Sequence, residues 1–250
     1  MIRLALLSLF LSLFVPVAQA AEIEILSPPV VDNAGLKDIA AAFTQKTGTQ
    51  VTIRVMELLK IADAAAAQPA DVVFLTPDRM GKLSHDGVVG QDGVMAVGRV
   101  NIGLAVRAGA PHPDISTVGK LIAALKASNG VVYSNPDPAR GSLGAIMIDR
   151  LLKRPEFAGV RGVISSKGNG ASGLMNGEGD SALQFESEIL PHREIELVGA
   201  LPEELGAFVD ISVAALAKSP HPADAQAFIH YVMSRESAPL WKAGGLSADH

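Results

Sequence analysis

The sequence predicts an α/β fold in which most strands run parallel. Three observations carry that expectation. Apolar runs of strand length alternate along the chain with segments whose apolar residues recur at helical spacing. Residues 71–75, Asp-Val-Val-Phe-Leu, form the near-continuous apolar run expected of a strand covered on both faces. The chain has 250 residues, 48% of them apolar and only 19% charged, enough to fill a sizeable core.

The first twenty residues read as an address. Met1, Ile2 and Arg3 give a positive start, residues 4–17 are almost wholly apolar, and Ala18, Gln19 and Ala20 give a small-x-small cleavage pattern. The competing reading is a membrane anchor, but the apolar stretch falls short of the ~20 residues a spanning helix needs. Residues 1–20 are therefore expected to be a cleaved signal peptide. The chain has no cysteine to carry a lipid, so the mature protein is expected in the periplasm and not as a lipoprotein. The same lack rules out disulfides, thiolate metal sites and thiol nucleophiles.

The elements follow in order. Residues 23–26 alternate as a strand, and Ser27-Pro28-Pro29 stops it. Leu36, Ile39, Ala40 and Phe43 share a helical face, which Thr47-Gly48 ends. Residues 51–55 read as strand, 58–67 as alanine-rich helix, 71–75 as the buried strand and 79–84 as a short helix. Residues 94–97 and 101–106 read as two strands in close succession. The second half continues with helix 115–125, strand 131–133, a Pro-rich turn, helix 141–152, strand 163–164, a short helix at 172–176 and strand 182–185. Strands 195–198 and 209–216 lead to a terminal helix pair, 224–233 and 236–242. No repeat and no Ser- or Pro-rich linker divides the chain, so two lobes would have to be joined by ordered strands.

A net charge of −5 and the absence of a basic stripe argue against nucleic acid as a partner. Gly168-Asn169-Gly170-Ala171-Ser172-Gly173 matches GxGxxG literally, but glycines interrupt the helix after it, and a loop is the better reading. The six histidines show no ligand spacing, and no GxSxG elbow is present. No cofactor and no metal are expected.

Five segments, taken together, carry a resemblance: GLKDIAAAFTQKTGTQV (35–51), PADVVFLTPDRM (69–80), SNPDPARGSLG (134–144), MNGEGDSALQ (175–184) and HPADAQAFIHYVMSRESAPLW (221–241). Their order and spacing resemble the extracytoplasmic solute-binding proteins of ABC importers, in the branch that includes the molybdate-binding proteins. The resemblance implies the type II periplasmic binding-protein fold: two doubly wound α/β lobes joined by two crossing strands, closing on a ligand. Lobe one would comprise residues 21–99 and 211–250, lobe two residues 104–205, and the hinge residues 100–103 and 206–210.

In doubly wound sheets a ligand sits beyond the C-terminal ends of the strands, near helix N-termini. The polar residues at those ends are Ser27 and Asn33, Glu57, Thr76, Ser134, then Arg140, Gly141 and Ser142, and Gln184. Arg140 supplies a planar cation suited to a carboxylate or oxyanion. Each has a plainer reading: Ser134 and Ser142 as helix caps, Asn33 and Asp32 likewise, Arg140 as a surface arginine, Glu57 as a solvated first-turn acid, Gln184 as a backbone partner. Their convergence carries the site.

The chain departs from the molybdate pattern at two positions. Val30 and Leu58 stand where those proteins place hydroxyl donors, and Glu57 would repel a dianion. The expected function is therefore capture of a small anionic ligand, an organic carboxylate gripped by Arg140, by a monomeric, non-enzymatic carrier that delivers it to a membrane ABC permease. Two alternatives stand beside it: binding of molybdate or another oxyanion, and a periplasmic enzyme on the same fold with Glu57 or Asp32 as base.

Overall fold

The computed structural model describes residues 22–90, 93–140 and 142–248. The expected signal peptide and Gly141 lie outside the described residues.

Strand β1 (Glu22–Ser27) pairs in parallel with β2 (Gln50–Val55) on one side and β3 (Val72–Leu75) on the other. Ile23 and Ile25 on β1 are fully buried, as is every residue of β3, which explains why the 71–75 run shows no polar alternation. Helix α1 is a single turn (Pro29–Val31) that runs through a π turn (Asp32–Leu36) into α2 (Lys37–Thr47). Gly35 sits at φ 116°, and a Cβ there would lie 2.9 Å from the Leu240 carbonyl oxygen, so only glycine fits this bend. Ile39, Ala40 and Phe43 turn inward, and Gly48 closes α2 in the left-handed conformation. Helices α3 (Leu58–Ala67) and α4 (Pro77–His85) follow β2 and β3, and α4 opens on a proline at its first position.

Strand β4 (Met95–Arg107) organises the molecule. Up to Asn101 it lies antiparallel to β9 (Phe208–Ala215), which also pairs with β3. From Ile102 onward it lies antiparallel to β7 (Ser181–Phe185) and, from Gly103, to β8 (Ile195–Ala200). Beyond β7 come the parallel strands β5 (Val131–Tyr133) and β6 (Gly162–Ile164). The ladder reads β2-β1-β3-β9-β4-β7-β5-β6, with β8 and the C-terminal β10 (Leu246–Ser247) attached to β4. The flanks are thus parallel, as expected, while every pair made by β4 or β9 is antiparallel. The sequence suggested two strands where β4 is one. Its register shifts between Ala96 and Gly98, and this bulge breaks the alternation on which the reading relied.

Helices α5 (Val118–Ala127), α6 (Leu143–Leu152), α7 (Gly170–Met175) and α8 (Glu186–Ile189) belong to the second half. Helices α9 (Pro222–Val232) and α10 (Ala238–Ala243) return to the first, where buried Trp241 meets Phe74 and donates to the Val232 carbonyl at 3.0 Å. Where β4 changes partners, Ile102 N–H donates to the Ala207 carbonyl at 2.8 Å, and Leu201 N–H donates to the Ile102 carbonyl at 2.9 Å. Nearby on the same strand, Arg99 grips Asp210 with two bonds of 2.7 and 3.2 Å and stacks 3.4 Å over the Phe208 ring.

Candidate functional site

A narrow cleft lies between the two halves, lined by Pro28, Pro29, Val30, Glu57 and Leu58 from the first and by Ser142, Leu143, Gly144, Phe185 and Glu188 from the second. Both walls are built from the C-terminal ends of strands and the helix starts that follow them, as the doubly wound topology requires. A roomier depression lined by residues 65–70 and 86–88 lies at the other end of the first half, around the start of β3, and lacks that arrangement of helix starts.

Two carboxylates face this cleft from opposite sides. Glu57 holds the N-cap position of α3 and is half-buried; burial pushes its carboxyl up, and nearby Lys60 opposes the shift. Glu188 sits on the one-turn helix α8, with little of its surface exposed. Burial pushes its carboxyl up to about 7, the Gln184 hydrogen bond opposes this, and the negative charge of Glu57 adds to it. A third acid, Glu186, faces the crossing strand, where Asn101 donates to it at 3.5 Å; its carboxyl too is raised by burial.

Behind Glu188 lies a buried polar network. Gln184 donates from Nε2 to Glu188 Oε2 at 2.6 Å. Gln184 Oε1 accepts from Ser134 Oγ at 3.0 Å and from the Gly170 N–H at 3.3 Å. Of the residues singled out in the sequence, then, Glu57 and Ser142 line the cleft, and Gln184 and Ser134 stand one layer behind it. Ser142 also caps α6, accepting from the Ala145 N–H at 3.4 Å. Ser27 is fully buried, and its hydroxyl donates to the adjacent Pro28 carbonyl. Thr76 is buried at the start of α4, where its hydroxyl helps hold the Asp78 carboxyl below the usual range. Asn33 and Arg140 are exposed, Arg140 at the end of a 3₁₀ turn (Pro138–Arg140) two residues before Ser142. Asp32 is buried and paired with Lys37 at 2.8 Å.

Val30 and Leu58, the two positions where hydroxyl donors were missing, both line the cleft, so its floor is apolar where an oxyanion site would be polar. The donors it does offer are backbone amides: Leu58, Leu143 and Gly144 line it at the starts of α3 and α6, ahead of Lys60 and Ala145, whose N–H groups are already taken by the Glu57 carbonyl and Ser142 Oγ. Across the deep edge of the cleft, Ser187 Oγ donates to the Val30 carbonyl at 2.8 Å, tying the halves together.

The sequence reading missed Glu188. Its signal was present: a buried strand end (Gln184-Phe185) followed by Glu186-Ser187-Glu188, which puts Glu188 four residues after Gln184 and on the same side of the turn. The GxGxxG match is structural. Gly170 and Gly173 let α7 pack tightly, since a Cβ would lie 2.9 Å from the Leu183 carbonyl oxygen in one case and 2.6 Å from Val132 in the other. Among the described residues no group of His, Asp and Glu is arranged to hold a metal ion.

The ten-stranded α/β sheet passes from one half to the other along β4, with the cleft between them. The chain belongs to the bacterial extracellular solute-binding protein family, which matches residues 33–247. In fold it is similar to the substrate-binding domain of a putative molybdenum ABC transporter from Clostridium difficile (TM-score 0.74, 12% identity, covering 92% of this chain and all of that one). It is likewise similar to the periplasmic molybdate-binding protein of Azotobacter vinelandii (TM-score 0.71, 15% identity, covering 91% of this chain and all of that one). In sequence it is similar to an aconitate isomerase of a Pseudomonas species, 29% identical over 218 residues, which covers 84% of this chain and 82% of that protein. That relative is an enzyme, and it overturns the expectation that this chain is a carrier without catalysis.

Proposed function

We propose that this protein is a periplasmic isomerase of small unsaturated polycarboxylates, aconitate first among them, working by proton transfer in the cleft of a binding-protein fold. The observation that carries the reading is the pair Glu57 and Glu188. They are two carboxyls on opposite walls of one cleft, both raised by burial, with one near 7. A proton shift needs one group that gives and one that takes at the same pH, and environments that separate two carboxyls provide it.

Aconitate carries a CH₂ between a carboxylate and its C=C bond. In this reading the ionised Glu57 removes a CH₂ proton, and the electron pair moves through the double bond. Glu188, the acid of higher affinity for its proton, delivers a proton to the far alkene carbon. The double bond has then moved, atoms and charge balance, and solvent resets the two carboxyls. The amides of Leu58, Leu143 and Gly144 would receive substrate carboxylates, and Arg140, exposed two residues before Ser142, would close on one of them. The apolar Val30 and Leu58 suit a carbon skeleton better than a tetrahedral oxyanion. Closure would turn about residues 100–103 and 206–210, joining a first lobe of 21–99 and 211–250 to a second of 104–205.

The test is purified mature protein incubated with cis- or trans-aconitate in D₂O and followed by proton NMR. We expect interconversion with about one deuterium entering the new CH₂ per turnover. No interconversion of either isomer, together with thermal stabilisation by molybdate alone, refutes the reading. Replacing that cation, Arg140→Ala, is expected to raise KM about tenfold and leave kcat within a factor of about three, because a charge-assisted hydrogen bond to a carboxylate contributes about 1.5–3 kcal/mol when enclosed and less at an exposed position. Steady-state kinetics checks it.

A further inference from the structure

We infer that Gln184 is a positioning residue for Glu188: its amide is locked in one orientation, so that Glu188 Oε2 always accepts a hydrogen bond and Oε1 is left as the oxygen that takes up and releases the proton. The inference rests on the acid–base reading of Glu188 given above and deepens it.

The lock is visible in the bonding. An amide side chain has one acceptor end and one donor end, and its orientation is fixed only if both ends are committed. Gln184 Oε1 faces two donors, Ser134 Oγ at 3.0 Å and the Gly170 N–H at 3.3 Å. Turned over, the amide would set its NH₂ against the Gly170 N–H, and a donor facing a donor in a buried site is costly. Gly170 is needed for this approach, because a Cβ there would lie 3.1 Å from Gln184 Oε1 and 3.0 Å from Tyr133 Cα. The NH₂ end must then point at Glu188, and it does so at 2.6 Å. Gln184 is itself 4% exposed and Ser134 7%, so neither offers its polar atoms freely to a ligand. They belong behind the acid.

The charged surroundings of Glu188 are simple. Glu57 faces it from the tip of α3. On its own helix Glu186 turns to Asn101, on the π turn packed against α8 Asp32 is engaged by Lys37, and on β8 Glu196 pairs with His112. Gln184 is thus the neutral donor that steadies the ionised form of Glu188 against burial and against Glu57.

The experiment is ¹³C NMR titration of the glutamate carboxyls in the ligand-free protein, with Glu188→Gln as the assignment control, run beside the pH profile of isomerisation. Gln184→Met removes the donor, and Gln184→Asn keeps an amide but withdraws it by one methylene. In both we expect the Glu188 midpoint to rise by about one pH unit. The falling limb of kcat/KM against pH should move up by the same amount, since Glu188 acts as the acid. Ser134 Oγ and the Gly170 N–H still bond each other at 3.3 Å when the amide is gone, which protects the fold. A Glu188 midpoint that stays put in both variants overturns the inference even if the wild type is an active isomerase. A midpoint that moves in a protein without isomerase activity upholds the inference and refutes the proposed function alone.

Discussion

Glu188→Gln should lower kcat for aconitate isomerisation by about 10²–10⁴-fold, the range a positioned general acid contributes, with KM changed only a few-fold. Glutamine keeps the volume and can still donate to a bound carboxylate, so what is lost is the transferable proton and not the packing. The same variant should be more stable than the parent at high pH. In the folded protein the Glu188 carboxyl titrates at about 7, against an ordinary value of 4.5. The folded state therefore holds the proton more tightly than the unfolded chain, and stability falls as pH rises from about 4.5 through about 7. Above that window the buried charge costs about 3 kcal/mol, since each tenfold difference in proton affinity between the two states corresponds to about 1.4 kcal/mol. Glu188→Gln should leave Tm nearly unchanged at pH 4.5 and raise it by about 6–12 °C at pH 8. Calorimetry at the two pH values, read beside kcat, checks both halves. A carboxyl that destabilises its own protein at working pH is kept for some reason other than stability, which is the mark of a functional-site candidate.

The alternation of elements was legible because it rests on local patterns. The near-continuous apolar 71–75 run, the inward face Leu36-Ile39-Ala40-Phe43 and the Thr47-Gly48 stop each follow from side-chain spacing, and the strand (Val72–Leu75), the helical face and the helix end lie where the pattern put them. What was not legible depends on contacts between distant segments. The bulge at Gly98 that fuses two apparent strands into β4 is shaped by β9 and β10, which come more than a hundred residues later. The antiparallel middle of the sheet has the same origin. The strand-end rule picked out Glu57 and Ser142, which line the cleft, and stopped at Gln184, four residues before Glu188. The raised titration range of Glu188 arises from burial against the far wall and from Glu57, 131 positions earlier in the chain, and no local window carries that information. The same limit explains why Ser134 and Gln184 read as ligand contacts: the sequence shows two polar residues at strand ends, and only their mutual bond shows that they face each other.

The second large effect belongs to the crossing strand. Gly98→Ala should destabilise the protein by about 3 kcal/mol or more, a fall in Tm of about 6–12 °C for a chain of this size. Gly98 has φ 151°, and a Cβ there would stand 2.2 Å from the Ser247 carbonyl oxygen and 2.7 Å from the Leu246 side chain. Neither neighbour has room to yield. Ser247 is held to Arg99 by strand pairing and by its hydroxyl at 3.2 Å, and Leu246 is 1% exposed. Relief requires the C-terminal strand to leave β4, which surrenders the burial of Leu246, about 1.5–3 kcal/mol for a side chain of this type, together with two ladder positions. Gly81→Ala is the control: nothing lies within 4 Å of a Cβ there, and alanine inside α4 should stabilise by about 0.5–1 kcal/mol. Denaturant unfolding of both variants separates a steric cost at one glycine from the conformational cost common to all. The consequence reaches the site because β10 grips Arg99 and Val100, and the next residues of β4 pass from the first half to the second. If the C-terminal strand steadies that passage, Gly98→Ala should also weaken the thermal stabilisation given by aconitate, while Gly81→Ala should leave it unchanged.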